Sequence, residues 1–228
     1  MSTRVLPYEP AQGRSEERIL RYSLPERVIH WVAALSYIYV LGTGLAFWTP
    51  YLFWIAVLLG GPPTARAWHP WFGLLWFAAV LWMYVAWRGD MRTTDADRAW
   101  EKQVGDYIRN EDEKLPPIGR FNWGQKVFFW LMLYAGIALV LSGVALWFVN
   151  DIPWSWRWLR YTAVLVHAVA ALLTIGGFII HVYMGTAMVR GGFTSVIRGE
   201  VSGEWAYLNH RLWYEKMRSK APEERKGG

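Results

Sequence analysis

LRYTAVLVHAVAALLTIGGFIIHVYMGTAM, residues 159–188, decides how the chain is read. It is long enough to cross a hydrocarbon layer of roughly 30 Å as one helix, and it holds His167 and His181. An ionisable side chain inside such a span is costly and marks a functional site by default. The two histidines are 14 residues apart, which on an α-helix is about 21 Å of rise. Fourteen steps of about 100° bring the second side chain to within about 40° of the first. One helix therefore presents two imidazoles to the same interior, near opposite sides of the membrane. They are too far apart to share an ion and well placed for two separate metal centres.

Three further segments have the length and apolar content of a span: residues 28–48, 68–87 and 124–149. The chain is 54% hydrophobic with 17 Trp, more large apolar side chains than a soluble domain of this size needs. The fold class expected is an all-α integral membrane protein, a four-helix transmembrane bundle formed by residues 1–217, with a polar tail at 218–228. The apolar run 52–59 is too short to cross and reads as an interfacial turn or short helix.

The net charge of +6 could suggest nucleic acid, but its distribution points to a membrane. Lys and Arg gather before the first span, between the second and third, and after the fourth. The connection 49–67 holds only Arg66, and 150–158 only Arg157. That alternation is the positive-inside pattern for four spans with both termini in the cytoplasm. Trp48, Trp54, Trp68, Trp71, Trp147, Trp154, Trp156 and Trp158 cluster at the opposite edge, as an aromatic belt does. The absence of cysteine excludes cysteine-ligated iron–sulfur clusters and c-type haem attachment in this chain. The polar, Arg-containing start and the length of the first span predict a retained anchor rather than a cleaved signal peptide.

Topology then pairs the histidines. His30 lies at the cytoplasmic start of the first span and His69 at the outer start of the second. His167 is in the outer half of the fourth span and His181 in its inner half. The depth-matched pairs are His69 with His167 and His30 with His181, each from two different helices, as a flat macrocycle clamped between helices needs. A haem iron held by two imidazoles has no open position, so it transfers electrons rather than binding substrate. The competing reading is interhelical hydrogen bonding or a proton relay. Gly73 and Gly185 lie one turn beyond His69 and His181 and leave room for a haem plane, or serve ordinary helix packing. Gly42, Gly44, Gly136, Gly143, Gly176 and Gly177 are equally ambiguous.

Outside the spans, residues 95–110 predict a short amphipathic helix with Trp100, Val104, Tyr107 and Ile108 on one face. In the tail, Trp205, Tyr207, Trp213 and Tyr214 are candidates to pack at the cytoplasmic interface, and the chain beyond Arg218 is expected to be loose. His210, between Asn209 and Arg211, reads as a solvated surface histidine. At the entrance to the third span, Asn122 and Gln125 supply neutral donors and acceptors at the depth of His30 and His181. They suit hydrogen bonding to a quinone carbonyl, and they suit helix capping equally well.

These residues resemble the gamma subunit, a diheme cytochrome b, of membrane-bound bacterial formate dehydrogenases. The resemblance rests on Glu26-Arg27 with His30; His69-Pro70 with Gly73; Asn122 with Gln125-Lys126; His167; His181 with Tyr183-Met184; and the tail pairs Val201-Ser202, Trp205-Ala206 and Trp213-Tyr214. The histidine set alone is shared more loosely with the b-type cytochromes of hydrogenases and thiosulfate reductases. A passive membrane anchor or a proton pathway is the non-redox alternative. The resemblance implies two b haems, the outer on His69 and His167 and the inner on His30 and His181. It implies electrons arriving from an iron–sulfur beta subunit, whose catalytic alpha partner oxidises formate at molybdenum or tungsten. It also implies their delivery to menaquinone or ubiquinone near Asn122 and Gln125, at the cytoplasmic face of the bacterial inner membrane.

Overall fold

The computed structural model describes residues 17–109, 111, 114–189 and 191–224. In chain order the elements are β1 (Arg18–Leu20), α1 (Leu24–Trp48), a 3₁₀ turn (Pro50–Leu52), α2 (Trp54–Leu58), α3 (Pro62–Trp87), α4 (Asp95–Glu101) and α5 (Val104–Ile108). There follow α6 (Trp123–Trp147), a second 3₁₀ turn (Trp154–Trp156), α7 (Arg157–Tyr183), a π-helical turn (Met184–Met188), α8 (Gly192–Arg198), β2 (Glu200–Ser202), α9 (Gly203–Asn209) and α10 (Arg211–Glu224). The helices α1, α3, α6 and α7 are long and apolar enough to cross a membrane. The protein is an all-α integral membrane protein with four spans, and the expected short helix after the first span is α2.

The chain divides into two compact units. The first holds residues 24–88 and 127–183, with all four long helices. Thr49 ends α1: preceding Pro50, it is held extended at φ −144°, ψ 139°, because proline crowds the residue before it out of the helical region. The second span starts earlier than the hydropathy suggests. Gly60 and Gly61, at φ +95° and +92°, turn the chain, and Pro62-Pro63 open α3, where the missing amide hydrogens cost nothing.

The core of this unit draws on every long helix: Ala33 and Tyr37 from α1, Trp76, Ala79 and Val80 from α3, Met132 and Leu133 from α6, with Phe178 of α7 packed against them. Tyr37 bridges Trp76 and Phe178 at ring distances of 5.5 and 5.0 Å. Buried hydroxyls must find internal partners in such surroundings. Ser36 donates to Val32 O at 2.6 Å and Thr43 to Tyr39 O at 2.9 Å, each within its own helix. The opposite faces are apolar and bare: Leu165, Leu172, Leu173, Ile179 and Ile180 of α7 are exposed, as lipid contact requires. So are Trp48, Trp54, Trp68, Trp71, Trp154, Trp156 and Trp158, the residues expected to form the interfacial belt.

The second unit takes in residues 89–126 and the chain ends before 24 and after 183. Its two strands pair antiparallel, with Ile19 opposite Val201. That ladder gathers Ile19, Val201, Ala206, Trp213 and Tyr214 into a small core, so the tail aromatics pack rather than drift. Tyr214 Oη donates to Glu17 Oε2 at 3.0 Å. The tail is helical as far as Glu224, which corrects the expectation of loose chain over residues 219–224; residues 225–228 lie outside those described.

The predicted helix over 95–110 is two helices instead, broken at Lys102-Gln103. Thr94 and Asp97 form a reciprocal capping box at the start of α4, which fixes its first turn. Trp100 is buried, whereas Ile108 is 60% exposed, so the four apolar residues do not share one buried face.

Candidate functional site

The four span histidines meet in two pairs within the helical unit. The His30 and His181 ring centres are 6.2 Å apart with planes at 50°, and those of His69 and His167 are 6.4 Å apart at 54°. Two imidazoles on opposite sides of one metal, with metal–nitrogen bonds of about 2 Å, place their ring centres roughly 6 Å apart. Both pairs have the separation that a six-coordinate bis-imidazole iron demands. Among the described residues, no group of three or more His, Asp or Glu could hold a bare ion. Each pair therefore suits a metal that brings its other ligands with it, as haem does.

The surroundings orient the rings. In the His69–His167 pair, His69 Nδ1 lies 2.7 Å from Thr43 Oγ1, and His167 Nδ1 lies 3.0 Å from Ser142 Oγ. Ser142 donates its own proton to Ala138 O at 2.6 Å, as Thr43 does to Tyr39 O. A hydroxyl has one proton to give, so both accept from the imidazoles. Each ring then carries its hydrogen on Nδ1 and leaves Nε2 as a free lone pair, the tautomer a metal needs. In the His30–His181 pair, Phe128 stacks on His181 at 4.4 Å with planes 4° apart. Among the described residues, His30 Nδ1 is buried without a hydrogen-bond partner.

Glycines make space beside the His69–His167 pair. A Cβ on Gly143 would stand 3.3 Å from His167 Cε1, and one on Gly44 3.7 Å from His69 Cε1. On Gly73 or Gly185 it would meet nothing within 4 Å among the described residues. Thr43, Ser142 and the particular roles of Gly44 and Gly143 were missed in the sequence. The available signal was a hydroxyl residue within an apolar span.

Asn122 and Gln125 cap α6. Gln125 N donates to Asn122 Oδ1 at 2.9 Å and Asn122 N donates to Gln125 Oε1 at 3.0 Å, a reciprocal cap of the kind that Ser and Glu often form. The cap occupies the two side-chain oxygens, and the amide N–H groups are not part of it. Asn122 is buried; Gln125 is half-buried. The next residue, Lys126, places Nζ 2.7 Å from Asp97 Oδ2 and 2.9 Å from Arg92 O.

His210 corrects the sequence reading. It is 2% exposed, with Nδ1 2.8 Å from Gly119 O and Nε2 3.0 Å from Arg21 Nη2. A guanidinium only donates, so Nε2 accepts, Nδ1–H donates, and the ring is neutral. Arg21 lies over the rings of Tyr22, Trp205 and Trp213 at 4.9 to 5.3 Å. Burial, and then the charge of Arg21, hold the His210 pKa well below its usual 6.5.

The unfolded chain therefore takes up a proton near pH 6.5 that the folded unit refuses. Stability is fully present above pH 6.5 and falls as the pH drops below it. Hydrogen exchange over residues 201–214 should speed up between pH 6.5 and 5, after correction for intrinsic rates. In His210→Gln, which cannot take that proton, the dependence should flatten. Equal slopes in both proteins would rule out His210 as its source.

Four apolar helices that bring two histidine pairs together fit a b-type membrane cytochrome. The chain belongs to the prokaryotic cytochrome b561 family, whose model matches residues 21–199, and haem b is the group such a protein carries. It is 32% identical over 207 residues to the formate dehydrogenase cytochrome b556(fdo) subunit of Escherichia coli strain K12, covering 90% of this chain and 96% of that one. It is 30% identical over 202 residues to the nitrate-inducible cytochrome b556(Fdn) subunit of the same strain, covering 87% and 91%. It is 29% identical over 211 residues to the formate dehydrogenase cytochrome b556 subunit of Haemophilus influenzae, covering 92% and 88%.

Proposed function

We propose that this chain is the membrane electron-transfer subunit of a formate dehydrogenase, with two b haems held by His69 with His167 and by His30 with His181. The observation that carries the reading is the pair of ring separations, 6.2 and 6.4 Å, each formed across two different helices. When bound, the haems supply one-electron transfer across the membrane, from an external iron–sulfur subunit with a molybdenum or tungsten catalytic partner toward a quinone at the cytoplasmic side. The chain's own residues bind and orient these groups and carry no formate chemistry. A reduced-minus-oxidised spectrum with pyridine haemochrome quantification tests this directly. Two b haems per chain are expected; none would leave a passive anchor or a proton pathway.

The bare Lys/Arg content of connections 49–67 and 150–158 supports an inner-membrane protein with both termini cytoplasmic. A C-terminal reporter that works only in the cytoplasm should be active, and activity of an external-only reporter would reverse the orientation.

Menaquinone or ubiquinone is assigned to the side of Asn122 and Gln125. Their amide N–H groups can donate to a ring carbonyl while their oxygens keep the cap. Gln125 lies one helical turn before Phe128, the residue stacked on His181. Gln125→Ala should therefore slow reoxidation of the reduced cytochrome by added quinone, with both haem spectra unchanged. Asn122→Ala should do the same and also loosen the start of α6, by about 1 kcal/mol. Wild-type reoxidation rates in both variants would move the quinone elsewhere.

A further inference from the structure

We infer that Thr43 and Ser142 are positioning residues that lower the reduction potential of the outer haem and so build a downhill step from the outer centre to the inner one. The inference rests on the proposed ligation of haem by the two histidine pairs and goes beyond it. The two pairs have nearly the same ring separation but differ in what stands behind them.

Behind each outer imidazole is a hydroxyl that accepts the Nδ1 hydrogen, at 2.7 Å for His69 and 3.0 Å for His167. Each hydroxyl is itself tied to a backbone carbonyl of its own helix, Tyr39 O or Ala138 O. Thr43 is 0% and Ser142 6% exposed, so water does not compete for these bonds. His30, by contrast, has a buried Nδ1 with no hydrogen-bond partner among the described residues.

Accepting a hydrogen bond from the back of an imidazole makes its other nitrogen a stronger donor to the metal. Each hydroxyl does so more effectively because it is polarised by its own bond to a carbonyl. A stronger donor stabilises ferric over ferrous iron and lowers the potential. Two such bonds act on the outer site, while one ligand of the inner site lacks even the first. The outer haem is thereby set below the inner.

The test is a spectroelectrochemical titration of the detergent-solubilised wild-type chain, Thr43→Val, Ser142→Ala and the conservative Thr43→Ser and Ser142→Thr. The wild type should titrate as two one-electron centres, the lower of them lost in His69→Ala. In Thr43→Val and in Ser142→Ala that lower centre should move upward while the other stays. A tenfold shift in its equilibrium is about 59 mV for one electron. The conservative variants should return it toward the wild-type value. Unmoved potentials in both, with haem intact, overturn the inference and leave haem ligation standing. So does an upward shift that both centres share. Loss of the outer haem from both truncations overturns it too, making the hydroxyls a requirement for retention rather than for tuning. Failure of the underlying reading looks different: the wild-type chain would lack haem, or His69→Ala would keep both centres.

Discussion

His69→Ala and His167→Ala should each cut the haem content from two to one per chain and abolish the same spectral component, while His30→Ala and His181→Ala should abolish the other. On the proposed ligation the effect is all-or-none, because an iron held by two imidazoles would have no substitute ligand nearby. No third His, Asp or Glu joins either pair among the described residues, and the sites lie on apolar helices. The pairing is the discriminating part. If the variants grouped instead as His167 with His181, the helix they share would matter more than the ring contacts at 6.2 and 6.4 Å. Haem counts by pyridine haemochrome, with difference spectra of each variant, decide between the groupings.

Lys126→Met should destabilise the polar unit by about 3–5 kcal/mol, the usual consequence of leaving a buried charge without its partner. The side chains of Lys126 and Asp97 are 9% and 2% exposed. Asp97 Oδ2 is also the acceptor for Thr94 N and Thr94 Oγ1, both at 2.7 Å, so the carboxylate cannot swing out to solvent without undoing the cap of α4. Asp97→Asn on the Lys126→Met background should recover part of the loss, because the orphaned charge is then gone while the cap keeps an acceptor. Hydrogen exchange across residues 94–101 reads both effects. Unchanged protection in Lys126→Met would show the pair to be dispensable.

The histidine pairing was legible because it depends on two strong regularities, the helical period and the alternation of span direction. The 14-residue interval between His167 and His181 fixes their common face, and span direction fixes the depth at which His30 and His69 can meet them. Contacts of large sequence separation left no such trace. His210 meets Arg21 across 189 residues, and nothing in a polar, charged neighbourhood announces that a strand pair at Ile19 and Val201 will bury it. The break at Lys102-Gln103 was hidden for a different reason: an amphipathic period continues through a loop as readily as through a helix. The Asn122–Gln125 spacing fits a cap and a ligand site alike, and the structure shows the cap while leaving the amide hydrogens outside it.

The aromatic layer formed by Tyr37, Trp76 and Phe178 sits at mid-span. Tyr37 is seven residues along α1 from His30, about 10 Å of rise, and Trp76 is seven along α3 from His69. Tyr37 and Trp76 are 4% and 3% exposed, and Ala79, Val80 and Leu133 close the layer at 2 to 6%. Atoms packed this closely leave little room for a file of water and a hydrated proton. Tunnelling electrons need no such path. With the two proposed haems bound, the bundle would be a wire to one charge carrier and an insulator to the other, so charge moved through it would not be short-circuited by a leak along the same route.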